Sequence, residues 1–414
     1  MELAVSLEQR FLRTPDGAIW TPAAFAYRFW TRYLEVFERV SVLARVRDVT
    51  MTPPEYARVD GPALAVVALP YYVGPAEYVL HAGELRRVLA AALRPGNALV
   101  LRIPSQIAAC LLNVAGKRPY GVEVVGDPWD VFAPGAVRHP LRPLFRHWFA
   151  HLLRHQCAGA CAASYVTSMA LQRRYPPRMD GFKTSYSDVE LPLDAFTATP
   201  RVRDMATPLR LIHVGTLDQL YKAPDVLLDA MAMCVGRGLD LHLDMVGDGK
   251  YRAVLEQQAE RLGIAHRVAW HGMLPAGAAV RSRLDAADLF VLPSRTEGLP
   301  RAMIEAMARG LPCIGSTAGG IPELLPPEDL VPPGDAAVLA SAIQAVANDP
   351  DRMAAMSVRN LATARDYADD LLHERRLAFY RTLRDQTERW FALQTVSGIA
   401  HPSGMASTHE RRAS

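Results

Sequence analysis

The chain has 414 residues, half of them hydrophobic and 21% charged, with a formal net charge of +3. That length exceeds one ordinary core and predicts two domains. The charge is too small for a nucleic-acid-binding protein, and no apolar run reaches the roughly 18 residues of a spanning helix.

The start, MELAVSLEQRFLRTPDG, has no basic segment before a long apolar run and does not read as a signal peptide. In the first half, strands are predicted over 41–46, 63–69, 97–103, 121–126 and 163–168. Each is rich in Val, Leu or Ile and closes near Gly, Pro, Asp or Ser. Continuous apolarity suits strands covered on both faces. Helical patterns lie between them, as over 82–93, which Pro95-Gly96 ends. A polar seam over 194–208, with two prolines, reads as a linker. Strands follow over 209–215, 241–247, 266–272, 287–293 and 312–316, then a long helix over 371–394. The stretch after 396 is small and polar and reads as disordered. Strand-helix alternation predicts an α/β chain with parallel sheets. The five cysteines are odd in number and fit no zinc pattern, so no metal site is expected. Reduced thiols in a cytoplasm are the simpler reading.

Open parallel sheets bind ligands beyond the carboxyl ends of their strands. The loops to examine are therefore Gly215-Thr216, Gly247-Asp248-Gly249, His271-Gly272, Ser294 to Pro300 and Ser316 to Gly320. Glycine there lets a ligand approach backbone N–H groups. The stretch SRTEGLPRAMIEAMARG (294–310) sets Glu297 just before a helix and Glu305 within it. Pro300 suits the first turn and Gly310 the stop. Such a helix N-terminus favours an anion, and carboxylates bind vicinal hydroxyls. Two isolated glutamates would be ordinary helix residues. Together with the glycine loops they describe a sugar-nucleotide site.

The string VLPSRTEGLPRAMIEAMARGLPCIGSTAGGIPELL resembles the signature of the retaining glycosyltransferases of family 4, the glycosyl transferases group 1, with the GT-B fold. The segments VGTLDQLYKAPDVLLDAM and DMVGDG resemble its other glycine loops. The resemblance spans about 205–385. It implies two Rossmann-like domains facing across a cleft: an acceptor-binding domain over 1–203 and a nucleotide-sugar-binding domain over 204–375. A helix over 376–395 would cross back to the first domain, ahead of a disordered tail over 396–414. It also implies that Glu297 contacts the donor sugar, Glu305 the ribose, Gly298 and Leu299 the sugar and phosphates, and Lys222 the diphosphate. Gly215, Thr216, Gly247, Gly249 and His271 complete the expected donor site. The nucleotide sugar is a substrate and no cofactor is implied. Thr216 stands where the family usually has arginine and supplies no permanent charge, so Arg295 or Arg301 is the candidate substitute.

The acceptor half offers positional candidates only. One is the loop in FLRTPDGAIWT around Gly17. Another is VVGDPWDVF, where Asp127 and Asp130 stand at a strand end. Asp127 is the candidate to orient or deprotonate an acceptor hydroxyl, the alternative being that it closes a turn before Pro128. The run over 136–161 holds four arginines, four histidines and Trp148 without an acid. It suits an anionic membrane surface, or a core helix with a solvated basic edge. The expected activity is anomer-retaining transfer from a nucleotide sugar to a hydroxyl acceptor in polysaccharide or glycolipid assembly. A lipid-linked saccharide is among the candidate acceptors. The expected location is the cytoplasm, with attachment at the inner face of the plasma membrane as a further candidate. The competing readings are a sugar-nucleotide epimerase or hydrolase of the same fold, and a non-catalytic nucleotide-sugar-binding protein, which Thr216 encourages.

Overall fold

The computed structural model describes residues 1–22, 25–132, 140–203 and 207–399. It divides into two compact units: Met1–Leu101 with Ser105–Gly121 and Tyr380 onward, and Arg102–Pro104 with Val122–Phe379.

In the first unit the strands are β1 (Glu2–Arg13), β2 (Ile19–Thr21), β3 (Arg39–Asp48), β4 (Ala57–Arg58), β5 (Leu64–Leu69) and β6, which begins at Ala98 and runs to Ile103. β1 pairs in parallel with β3 on one side and β6 on the other, and β3 pairs in parallel with β5. β2 and β4 add antiparallel at the carboxyl end of β1. The expected strands over 41–46, 63–69 and 97–103 are all present. The long β1 was not anticipated, because its polar second half, LEQRFLR, breaks the apolar run. There the register with β3 shifts between Ser6 and Arg10. Helices α1 (Tyr27–Leu34), α2 (Gly74–Ala92) and α3 (Gln106–Ala115) complete the unit.

The second unit begins with neighbouring strands β7 (Gly121–Val124), β8 (Ala162–Tyr165) and β9 (Phe182–Ser185). Between β7 and β8 come α4 (Pro128–Val131) and α5 (Arg142–Gly159), and α6 (Ala170–Arg174) follows β8. A six-stranded sheet follows, built from β10 (Leu209–Val214), β11 (Leu241–Val246), β12 (Val268–Gly272), β13 (Leu289–Leu292), β14 (Cys313–Ser316) and β15 (Leu330–Val331). Its order is β12-β11-β10-β13-β14-β15 and every pairing is parallel. Its helices are α7 (Pro224–Gly236), α8 (Arg252–Arg261), α9 (Ala278–Ala286), α10 (Arg301–Ala308), α11 (Ala336–Ala347) and α12 (Pro350–Arg365). Leu211, Leu243, Met245 and Val291 from the strands pack with Leu227, Met231, Leu339 and Ile343 from α7 and α11, all essentially buried. This order reverses between β10 and β13, so the loops after those two strands flank the crevice where such sheets bind ligands.

The terminal helix α13 spans Asp369–Ile399, longer at both ends than expected. Its start pairs with Leu191 of the second unit, through Asp369. From Tyr380 on it counts with the first unit, where the Tyr380 ring lies 4.7 Å from that of Tyr33. The tail expected to be disordered is therefore helical to Ile399, and 400–414 lie outside the described residues.

Candidate functional site

The loop after β10 carries Gly215 and Thr216 and leads through a short 3-10 turn, Leu220–Lys222, into α7. Ala223 joins turn and helix in the left-handed region, φ 54°, which turns the chain sharply just after Lys222. The Lys222 side chain then runs back over Gly215, where a Cβ would stand 2.2 Å from its Cδ. Its ammonium reaches Glu297 Oε1 at 2.8 Å, and Ser294 Oγ donates to the same oxygen at 3.0 Å. Two residues 75 positions apart, each singled out in the sequence, are thus an ion pair beside the sheet's switch point. Both side chains are largely buried, 13% and 9% exposed, so the pair is weakly screened.

Glycines shape the backbone around them. Gly247, at φ 133°, lies so close to Gly215 that a Cβ would stand 1.9 Å from the Gly215 carbonyl oxygen. Gly319, at φ 55°, would bring a Cβ within 1.8 Å of the Glu297 carbonyl oxygen, and Gly320 N–H donates to the Gly298 carbonyl at 2.7 Å. The loop after β14 is therefore laid directly on the loop after β13. Gly249 packs on Leu217 and Asp218 in the same manner.

Thr216 donates its hydroxyl to Asp218 and accepts from the Asp218 N–H, a local turn with no charge to offer an anion. Arg295, a candidate substitute for an arginine at that position, lines a cavity with Glu297 and is already paired. Its guanidinium holds Asp225 with two bonds of 2.8 and 2.7 Å and the Leu220 carbonyl at 2.7 Å. It braces the segment that presents Lys222. Arg301, the first residue of α10, is exposed and four residues before Glu305 on one helix face. Burial holds the Glu305 carboxyl above its usual range, opposed by Arg301 and Arg281. His271 is engaged by Asp244, its Nε2 2.5 Å from Oδ1. Leu299 is buried at the entry to α10, behind Pro300.

Sequence reasoning passed over His213, one strand position from the glycine loop. Its Nδ1 bonds to the Val291 carbonyl at 3.0 Å, and burial lowers its pKa to about 4. It is a neutral cross-link between β10 and β13, buried by the sheet itself, and strand polarity alone gives no sign of it.

A cavity of about 270 Å³ within the second unit joins this site to the α4–α6 region. Glu297, Gly298, Gly319 and Gly320 line one side; Asp127, Asp130, Thr167 and Arg174 line the other. Asp127 caps α4 by accepting from Trp129 N–H, and it also accepts from Tyr175 OH and from Arg174. Both of its oxygens are thereby engaged, and it is 6% exposed. Burial and the Asp127 carboxylate push the Tyr175 phenol up. Arg174 also reaches Asp130 Oδ1 at 3.1 Å. Burial, with Asp127 adding to it, raises the Asp130 carboxyl against the pull of Arg174. Glu305 and His271 are not among the residues lining this cavity.

The basic run expected at a membrane is α5 from Arg142 onward; 133–139 lie outside the described residues. Arg142 donates to the Phe132 carbonyl, and Arg146 donates to the Trp129 carbonyl and stacks on the Trp129 ring. These two arginines therefore tie α5 to α4. Leu141, Leu144 and Trp148, in contrast, are 51%, 60% and 63% exposed. Among the described residues, no helix is long and apolar enough to cross a membrane.

The parallel six-stranded sheet with its glycine loops is that of the GT-B fold. The same fold is seen in HepE of Anabaena, solved with UDP and glucose, at a TM-score of 0.60 and 17% identity over 96% of this chain and 100% of that one. Residues 208–349 match the family described as Glycosyl transferases group 1. Protein CapJ of Staphylococcus aureus is 26% identical over 322 residues, 77% of this chain and 80% of that protein. The GDP-mannose-dependent monoacylated alpha-(1-6)-phosphatidylinositol monomannoside mannosyltransferase of Corynebacterium glutamicum is 33% identical over 150 residues. That match spans 34% of this chain and 39% of the mannosyltransferase.

Proposed function

We propose that the protein transfers a sugar, with retention of anomeric configuration, from a nucleotide-sugar donor to a hydroxyl acceptor in polysaccharide or glycolipid assembly. The observation that carries this reading is the Lys222–Glu297 pair, set between glycine loops at the switch point of the parallel sheet. On this reading Lys222 and the N–H groups opening α10 stabilise charge that grows on the diphosphate as the glycosidic bond breaks. Glu297 takes sugar hydroxyls, and Glu305, deeper in α10, takes the ribose. No protein nucleophile is assigned. HepE, solved with UDP and glucose, and the GDP-mannose-dependent mannosyltransferase support a nucleotide-sugar donor while differing in base, so the base is left open. The latter also supports a lipid-linked acceptor. The exposed Leu144 and Trp148 support a membrane-surface contact through the side of α5 that Arg142 and Arg146 do not occupy.

The test is thermal stabilisation by UDP and GDP, followed by donor hydrolysis with and without a membrane extract as acceptor source. Transfer to extract supports the reading. Hydrolysis or epimerisation indifferent to extract favours the epimerase or hydrolase alternative. Binding without turnover favours the non-catalytic one, for which the uncharged Thr216 is the specific observation.

A further inference from the structure

Resting on that reading, we infer that Arg174 is a specificity-determining residue for the transferred sugar, whose oxygens accept from the free Nε–Nη2 edge of its guanidinium. Arg174 ends α6 and lines the cavity of about 270 Å³ together with Glu297, Gly298 and Gly320. That volume is below the range of pockets that enclose a whole drug-sized ligand, and it suits one sugar ring. Both bonds of the guanidinium, to Asp127 and to Asp130, leave from Nη1. Nε and Nη2 have no hydrogen-bond partner among the described residues, and the side chain is 39% exposed.

A guanidinium carries its N–H groups in a rigid planar fork, and the Nε–Nη2 edge presents two of them side by side. Such an edge matches two neighbouring oxygens, whether vicinal hydroxyls or one carboxylate. The other guanidinium lining the cavity differs: Arg295 spends both terminal nitrogens on Asp225. Arg174 is also held in place from several sides. Asp127, which takes Nη1, is itself fixed by Trp129 N–H and Tyr175 OH. Asp130 takes the same nitrogen at 3.1 Å. The start of α6 is tied to the segment after β14. There the Glu323 carboxylate accepts from the N–H groups of Ser168, Met169 and Ala170 and from Ser168 Oγ. Thr317 to Gly320, just before Glu323, line the same cavity. The helix that carries Arg174 is thus anchored to the loops that carry the donor-site glycines. A contact that tells one sugar from another needs such a preorganised support.

Calorimetry on the full chain separates the outcomes. The probes are UDP, GDP, UDP-glucose, UDP-galactose, UDP-N-acetylglucosamine, UDP-glucuronate and GDP-mannose. At least one sugar nucleotide should bind more tightly than its own nucleoside diphosphate. Arg174→Lys keeps a cation beside Asp127 and Asp130 but loses the fork. It should remove that sugar-dependent gain, a loss of about tenfold or more for hydrogen bonds to a charged group, and leave diphosphate affinity within about twofold. Arg174→Gln, which also keeps an N–H donor for the aspartates, should do the same, so one variant decides if the other fails to fold. The probe with the largest gain identifies the oxygens: UDP-glucuronate for a carboxylate, a neutral sugar for hydroxyls. A sugar gain that survives both variants would overturn the inference. So would an equal loss for UDP and its sugars, which a loosened wall or a diphosphate contact would give, or no gain for any sugar. If neither diphosphate binds the unaltered chain, the donor-site reading itself falls, a different failure that takes the inference with it.

Discussion

The loops after β10, β13 and β14 keep their shape through backbone contacts, whereas the segment from Asp127 to Tyr175 keeps its shape through charged side chains. In the first region, glycines let carbonyl oxygens and N–H groups meet where a Cβ would collide. In the second, one guanidinium joins two aspartates, and two further arginines fasten α5 to α4. Backbone packing of the first kind tolerates almost no change of residue. Ion pairs of the second kind can be rearranged by a few substitutions.

The largest expected effect tests the backbone region. Gly319→Ala forces a Cβ onto the Glu297 carbonyl and holds alanine at positive φ, and it should cost more than about 3 kcal/mol in urea unfolding. Gly17→Ala, also at positive φ but with open space around it, should cost only about 1 kcal/mol. Equal costs would show that conformation alone, and not the close approach, matters at Gly319.

Next comes the pair that joins the region's two loops. Lys222→Ala leaves Glu297 largely buried without its cation and should destabilise by about 3 kcal/mol, the lower end for breaking a buried pair. It should weaken UDP or GDP binding far more than uridine or guanosine binding, as calorimetry would read. In Lys222→Ala/Glu297→Gln the stability loss should be smaller than in Lys222→Ala, because no uncompensated charge remains.

A comparable effect is expected with pH. Unfolded His213 takes up its proton near 6.5, whereas in the fold it does so near pH 4. Between those values the unfolded chain binds more protons, so stability falls as pH falls from 6.5 to about 4. The contribution amounts to roughly 3 kcal/mol by the low end. Chemical denaturation across that range should show a shallower slope in His213→Gln than in the unaltered chain.

Glu305→Ala should weaken nucleotide binding by about 1–3 kcal/mol, the cost of losing hydrogen bonds to a charged group. The smallest effect on stability is expected on the outer face of α5. Leu144→Ser with Trp148→Ser should change stability by only about 0.5 kcal/mol, because both side chains are mostly exposed, yet should reduce adsorption to anionic vesicles. Reversing Arg142 or Arg146 is a poorer test of the membrane, since both hold α4 and hence Asp127 and Asp130. If Arg146→Glu alters nucleotide-sugar binding in solution, the charged region is linked to the site as described.

The sequence by itself determined the parallel strands, the glycine loops at their ends, and Glu297 and Glu305 as the residues to watch, while Lys222 came from the family resemblance. Those features are legible because they are local: a buried parallel strand must be continuously apolar, and a loop under another backbone must be glycine. Even so, β1 was hidden, since a central strand with a polar half carries no unbroken apolar signal. Only the tertiary structure decided which charge meets which. Lys222 meets Glu297 across 75 residues, Arg295 is held by Asp225 across 70, and Arg174 meets Asp127 across 47. Sequence reasoning offered Arg295 to the ligand and Asp127 to the acceptor; both line the cavity, with Arg295 paired to Asp225 and Asp127 to Tyr175 and Arg174. A charged side chain can pair with any opposite charge the fold brings within a few ångströms, and that choice is made by the packing of distant segments.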